Sequence, residues 1–185
     1  MRIMEKSQES FLTLYEPIHE SFVRFCTARA YGVLEAEDLV SDSVLMALEN
    51  FHKLKDEKAF LSFMFSIASN IANKKHRRQK FTGIFNEKKA ELIPEQGIDA
   101  GSRLDVEVLY QILNKLPVAQ KEALILFEIS GFSIKEITEI QKSSESAVKQ
   151  RLKRGREKLA QLFKSDRLKY ETVSARSSVL MSVFL

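Results

Sequence analysis

Gly131-Phe132-Ser133-Ile134-Lys135-Glu136-Ile137, followed after a short polar run by Ser144-Glu145-Ser146-Ala147-Val148-Lys149-Gln150-Arg151-Leu152-Lys153-Arg154, decides the fold class of this chain. Gly131 suits the left-handed conformation that ends a helix. Ser133 offers a hydroxyl as N-cap, and Glu136 three residues on completes a capping box. Ile134, Ile137 and Ile140 recur at intervals of three and so share one helical face. Gln141 to Ser144 makes a polar turn, with Ser143 or Ser144 able to cap the next helix. That helix carries Val148, Leu152, Gly155, Leu159 and Leu162, which form one packing stripe at about 100° per residue. Ser146, Lys149, Gln150, Lys153 and Arg154 take the opposite side, with Arg151 and Arg156 nearer the stripe's edges. Helix, tight turn and basic second helix make a helix-turn-helix, whose second helix fits the DNA major groove.

Charge sharpens this reading. Lys142 to Lys158 holds seven basic residues against two acidic ones. Long cations at the rim suit phosphates, whereas Ser146, Lys149 and Gln150 suit base edges. A merely solvated basic face is the alternative, and the agreement of cap, turn and face weighs against it.

Upstream of this motif the chain reads as helices throughout, with no strand-like alternation. Residues 8–80 form a first unit. Phe11, Leu14, Tyr15, Ile18, Phe22 and Phe25 recur at helical spacing, with Pro17 set to interrupt or kink that helix. Ala36 to Phe51 is a second amphipathic helix that turns Leu39, Val40, Val44, Ala47, Leu48 and Phe51 inward. His52 to Lys58 is a polar loop. Phe60, Phe63, Met64, Ile67, Ala68 and Ile71 define a third helix running into Asn73-Lys74-Lys75-His76-Arg77-Arg78. Residues 81–102 lose the apolar period and are punctuated by Gly83, Pro94, Gly97 and Gly101, as a linker would be. A second unit over 103–163 begins with Leu104, Val108, Ile112, Leu113 and Leu116 on one face. Pro117 fits the first turn of the next helix, whose core side is Ala123, Leu124, Leu126 and Phe127. Residues 164–185 lack a helical period and read as a tail, either disordered or folding onto this protein or a partner. The expectation is an all-α protein of two small helical domains joined by a flexible linker.

Composition bounds the function. With 44% hydrophobic and 29% charged residues among 185, the chain can build compact cores. Its net charge of +4 is mild for a nucleic-acid binder, but the charge is segregated. Glu35 to Glu57 holds seven acidic residues against two basic, whereas Lys74 to Lys80 holds five Lys or Arg plus His76 and no acid. Two kinds of surface imply two kinds of partner, a protein and a nucleic acid. Cys26 is the only cysteine, which fits a reducing cytoplasm. No N-terminal apolar run suggests a signal peptide, and Val179 to Leu185 is too short to span a bilayer. Catalysis is not expected. His19, His52 and His76 are scattered without metal-ligand spacing, no Gly-rich phosphate loop follows a strand, and the lone cysteine has no positioned histidine. No metal or other cofactor is implied.

By these residues the chain resembles the extracytoplasmic-function (ECF) group of the sigma-70 family of bacterial RNA polymerase sigma factors. The resemblance covers about residues 8–163. Ala36-Glu37-Asp38-Leu39-Val40 with Leu45 and Leu48 is similar to the region-two helix that docks on core polymerase. Phe60 to Asn70, running into Lys75-His76-Arg77-Arg78, is similar to the helix that reads and opens the −10 element. Leu116-Pro117, Ile134-Lys135-Glu136-Ile137 and Val148-Lys149-Gln150-Arg151-Leu152 resemble region four, which reads the −35 element. The resemblance implies a non-enzymatic protein that directs core RNA polymerase to particular promoter DNA and helps melt it. It implies a cytoplasmic protein, not itself a membrane protein, held by an anti-sigma factor that is often membrane-bound.

Site residues follow from the two readings together. Glu37, Asp38, Leu39, Asp42 and Leu45 are set for core polymerase. Phe65, Asn70, Asn73, Lys74, Arg77 and Arg78 are set for the −10 element, with Phe65 placed either to stack on a base or in the core. Ser144, Ser146, Lys149, Gln150, Arg151, Lys153 and Arg154 are set for the −35 element. The loop His52 to Lys58 lies where the family captures a flipped base. The alternative is a helix-turn-helix regulator that binds an operator, with a first half that takes a ligand or a partner. This chain departs from the family pattern at Ser41, Phe63, Ser146 and Ala147. It departs also at Gln141-Lys142-Ser143, where a more apolar, Gly-containing turn is usual.

Overall fold

The computed structural model describes residues 2–82 and 100–170, with side chains over 8–79 and 106–165. All regular structure among the described residues is helical. The first unit consists of α1 (Arg2–Tyr15), α2 (His19–Ala30), α3 (Ala36–Asn50) and α4 (Phe60–Thr82). The second consists of α5 (Ala100–Leu113), α6 (Val118–Leu124), α7 (Ile134–Ile140) and α8 (Glu145–Tyr170). Most of the proposed linker, 83–99, and the tail beyond 170 lie outside the described residues.

Local chemistry explains the breaks. Pro17 does more than kink a helix: it sits in a 3-10 turn, Glu16–Ile18, that separates α1 from α2. Its missing N–H and fixed φ fit such a first turn. Asp56 caps the 3-10 turn before α4 by accepting from the Lys58 N–H at 3.0 Å, so the polar loop is largely ordered as two short turns. Pro117 takes the N-cap position of α6 rather than its first turn. A π-helical turn, Ile125–Ile129, continues α6 and ends at Ser130, and Gly131 then adopts φ +76. One expectation is corrected at the C-terminus: α8 runs on to Tyr170, so residues 164–170 belong to the helix rather than to a tail.

One apolar cluster runs through both units. In the first, Phe11 meets Phe51 and Phe60 edge-on, with ring centroids 5.4 and 5.3 Å apart. Leu39, Ala47, Met64 and Ala68 are fully buried between α3 and α4. Leu39 is thus a core residue in this structure and presents no surface to a partner, unlike its expected place on the polymerase-facing side. In the second unit, Val148, Leu152 and Leu159 are buried as the stripe requires. Gly155 lets α8 close on α6, since a Cβ there would lie 3.0 Å from Leu124 Cδ1. The units also meet each other: the π turn packs on α2, and α7 packs on α4.

Candidate nucleic-acid interface

The helix-turn-helix forms as its sequence dictates. Ser133 Oγ accepts from the Glu136 N–H, and the Glu136 carboxylate accepts from the Ser133 N–H at 2.8 Å. This closed capping box fixes where α7 begins. Of the two candidate caps for α8, Ser144 serves: its Oγ accepts from the Ala147 N–H at 3.3 Å. Between the helices, Lys142 adopts φ +47, the only positive φ at a non-glycine among the described residues. A left-handed lysine is strained by about 1 kcal/mol or more, so side chains must hold the turn. Arg151 does so, donating from Nη1 to Gln141 Oε1 at 2.7 Å and to Ser143 Oγ at 2.9 Å. Gln141 in turn donates to the Ala119 carbonyl and to Glu122 Oε1, each at 3.3 Å.

Arg151 is therefore half-buried and engaged with protein, which differs from its expected place on DNA. Arg156 is likewise engaged. It donates twice to Glu128 Oε1, at 2.9 and 2.7 Å, and lies over the Phe127 ring at 5.3 Å. Ser146, Lys149, Gln150, Lys153 and Arg154 remain exposed on one side of α8. Lys149 pairs loosely with Glu145 at 3.4 Å across one turn. Such an exposed pair holds little energy and leaves Lys149 free to exchange partners.

On α4 the expected −10 residues divide between two faces. Asn70, Lys74, Arg77 and Arg78 are exposed, and their spacing puts them on one stripe. Phe65 is fully buried. Its ring meets Phe22, Phe25 and Phe132 at centroid distances of 5.2, 5.0 and 4.6 Å. In this conformation it is a packing residue and offers no face to a base. Asn73 accepts from Arg29 Nη2 and is half-buried. On α3, Glu37, Asp38 and Asp42 are exposed beside Leu45, which is 58% exposed, and Met46, which the sequence reading had not singled out.

A buried charge cluster joins the two units, and the sequence reading missed it. Arg29, 1% exposed at the end of α2, has Nε 3.6 Å from Glu122 Oε2 of α6. That distance makes an ion pair but no hydrogen bond, and Arg29 Nε has no other partner. Lys121 is also buried and donates to Asn114 Oδ1. Burial, with the Arg29 charge added, lowers its pKa from 10.5 to about 7 against the pull of Glu122. Burial likewise lowers Arg29 from its ordinary value, opposed by Glu122. The signal was present in the sequence: Arg29 follows Phe22, Phe25 and Cys26 at +7, +4 and +3, on the same inward stripe.

No helix among the described residues is long and apolar enough to cross a membrane. Comparison with known proteins places this geometry. The family model for sigma-70, region 4 matches residues 107–159. The RNA polymerase sigma factor NccH of Alcaligenes xylosoxydans xylosoxydans is 31% identical over 150 residues, spanning 76% of this chain and 81% of that protein. The ECF RNA polymerase sigma factor EcfG of Rhodopseudomonas palustris (strain TIE-1) is 31% identical over 133 residues, spanning 71% of this chain and 72% of that protein. Among solved structures, the sigma factor RpoE of Bartonella quintana, in complex with the anti-sigma factor NepR, superposes with a TM-score of 0.70 at 27% identity. That match covers 86% of this chain and 99% of the other. The capped helix-turn-helix, its exposed cationic face and these likenesses together lead to one conclusion: the chain belongs to the ECF group of RNA polymerase sigma factors.

Proposed function

We propose that the two units divide promoter reading between them, as parts of a transcription initiation factor that performs no chemistry of its own. The single observation that carries this is the side of α8 left open when Arg151 and Arg156 turn inward. Ser146, Lys149, Gln150, Lys153 and Arg154 are exposed there on a helix aimed by a capped turn. Such a face meets −35 duplex through its major groove, with cations on phosphates and Gln150 and Ser146 toward base edges. The exposed stripe Asn70, Lys74, Arg77 and Arg78 of α4 holds the −10 strand. On α3, Asp38, Asp42 and Leu45 recur at helical spacing and dock on core polymerase, with Met46 beside them and charge steering the approach.

Residues 8–80 and 103–163 act as separate modules joined by 81–102. The chain works in the cytoplasm, where polymerase is. An anti-sigma factor is a further partner, a reading supported by RpoE having been solved with NepR. The division of labour is tested by two double substitutions. Arg77→Ala with Arg78→Ala should impair promoter opening, read by permanganate reactivity of the −10 region. Lys149→Ala with Lys153→Ala should weaken binding to −35 duplex while sparing association with core. Unchanged opening in the first, or unchanged duplex binding in the second, removes those residues from the DNA.

A further inference from the structure

The turn between α7 and α8 is built around a residue that its own geometry disfavours. The Ser143 N–H donates to the Thr138 carbonyl at 3.0 Å, and the Lys142 N–H donates to the Glu139 carbonyl at 3.4 Å. This pair of bonds ends a helix through one left-handed residue, a place that glycine fills without strain. Here the residue is Lys142, at φ +47. The other positive φ values among the described residues belong to glycines, Gly32 and Gly131.

Nothing within the described residues rewards a lysine at this place. Its side chain is exposed, and its ammonium forms no hydrogen bond or ion pair with a described residue. Glu145, the first acid of α8, pairs with Lys149 instead. Yet the backbone is held on both sides. The Arg151 guanidinium reaches back to Gln141 and Ser143, the two neighbours of Lys142. Gln141 is tied further to the Ala119 carbonyl and to Glu122. Strain that its surroundings maintain points to a use outside the fold.

Position supplies that use. In a helix-turn-helix the first helix crosses the phosphate backbone, and the second enters the major groove by its N-terminal residues. The connecting turn therefore passes the wall of the groove, where phosphates run. Lys142 stands in that turn, two residues before the cap Ser144 and four before Ser146. Arg151, by contrast, is drawn inward. One cation of the basic run is thus withdrawn from the DNA, and another is projected from the turn in its place.

We propose that Lys142 is a phosphate contact of the −35 duplex, presented at the groove wall by a left-handed turn that Arg151 clamps. Arg151 is the positioning residue and Lys142 the contact, and charge rather than side-chain shape is what the duplex meets. The inference rests on the assignment of α8 to the −35 duplex.

Lys142→Gly tests it, because glycine relaxes the turn while deleting the cation. In full-length protein this variant should raise the thermal midpoint by about 2–4 °C, the size expected for relief of one strained residue. It should nevertheless bind −35 duplex about eightfold more weakly at about 0.1 M salt, with the slope of log affinity against log salt reduced by about one unit. The loss should be equal on a scrambled duplex, since phosphates carry no sequence. Lys142→Arg should keep both affinity and slope. Stability and binding then move in opposite directions, which a purely structural role does not produce. An unchanged slope in Lys142→Gly overturns the contact, as does a loss confined to the −35 sequence. Lys149→Ala separates this failure from that of α8 itself. If it lowers the slope while Lys142→Gly does not, only Lys142 leaves the DNA; if neither does, the assignment of α8 falls as well.

Discussion

Single side chains decide how the recognition helix is aimed. Ser133 closes a reciprocal cap, so Ser133→Ala should cost about 1 kcal/mol of stability, read as a lower urea midpoint with unchanged slope. Arg151 has the composition of a DNA contact but the geometry of a clamp, because its guanidinium bridges Gln141 and Ser143. The two roles differ in salt dependence. Lys149→Ala should lower the slope of log affinity against log salt for −35 duplex by about one unit. Arg151→Ala should leave that slope unchanged and blur base preference instead, since the strained turn at Lys142 loses its support. An equal loss of slope in both variants would return Arg151 to the phosphates. Sequence alone gave Arg151 as basic and near the stripe's edge; only the positions of Gln141 and Ser143 reveal what it bonds.

Among the helices, patterns that repeat were legible and pairings between distant segments were not. The inward stripes of α3, α4 and α8 follow from periodicity, as do the capping box and the Gly131 break. At Leu39 motif position favours the polymerase surface and the apolar stripe favours the core, and the structure buries it. The two sites now separate experimentally. Leu39→Ala should destabilise the first unit by about 2–5 kcal/mol, as cavity-forming changes do. Asp42→Arg on the exposed side of the same helix should leave thermal stability intact and impair association with core polymerase. Phe65 posed the same ambiguity, and packing against three phenylalanines resolves it toward the core in this conformation. Helix α8 extends past its apolar period to Tyr170, since good helix formers such as Lys164, Arg167 and Lys169 need no packing stripe to continue a long helix.

Across the whole molecule, two domains could be read from two runs of helical pattern, but their contact could not. Arg29 and Glu122 are separated by about half of the chain, and nothing in either local pattern names the other. The buried cluster they form carries its own pH signature. Lys121 falls to about 7 in the folded chain, from an ordinary 10.5. Between those values the unfolded chain binds the extra proton, so stability should rise as pH increases from 7 and level off near 10.5. The groups facing Lys121 are Arg29, which depresses it, and Glu122, which opposes that shift. Lys121→Met should flatten the rise in thermal midpoint over this range; an unchanged rise would place its source elsewhere.

In the proposed function one chain joins a polymerase-docking face on α3 to promoter-reading faces on α4 and α8. Capturing core RNA polymerase on the purified protein and transcribing a promoter library with the captured complex probes all three faces at once. Stable capture is expected, with initiation from a subset of promoters that share −10 and −35 sequences. Asp42→Arg should abolish capture, and Lys149→Ala with Lys153→Ala should abolish selectivity while capture persists. Duplex binding with no association to core would rule out the polymerase-docking face and favour an operator-binding regulator.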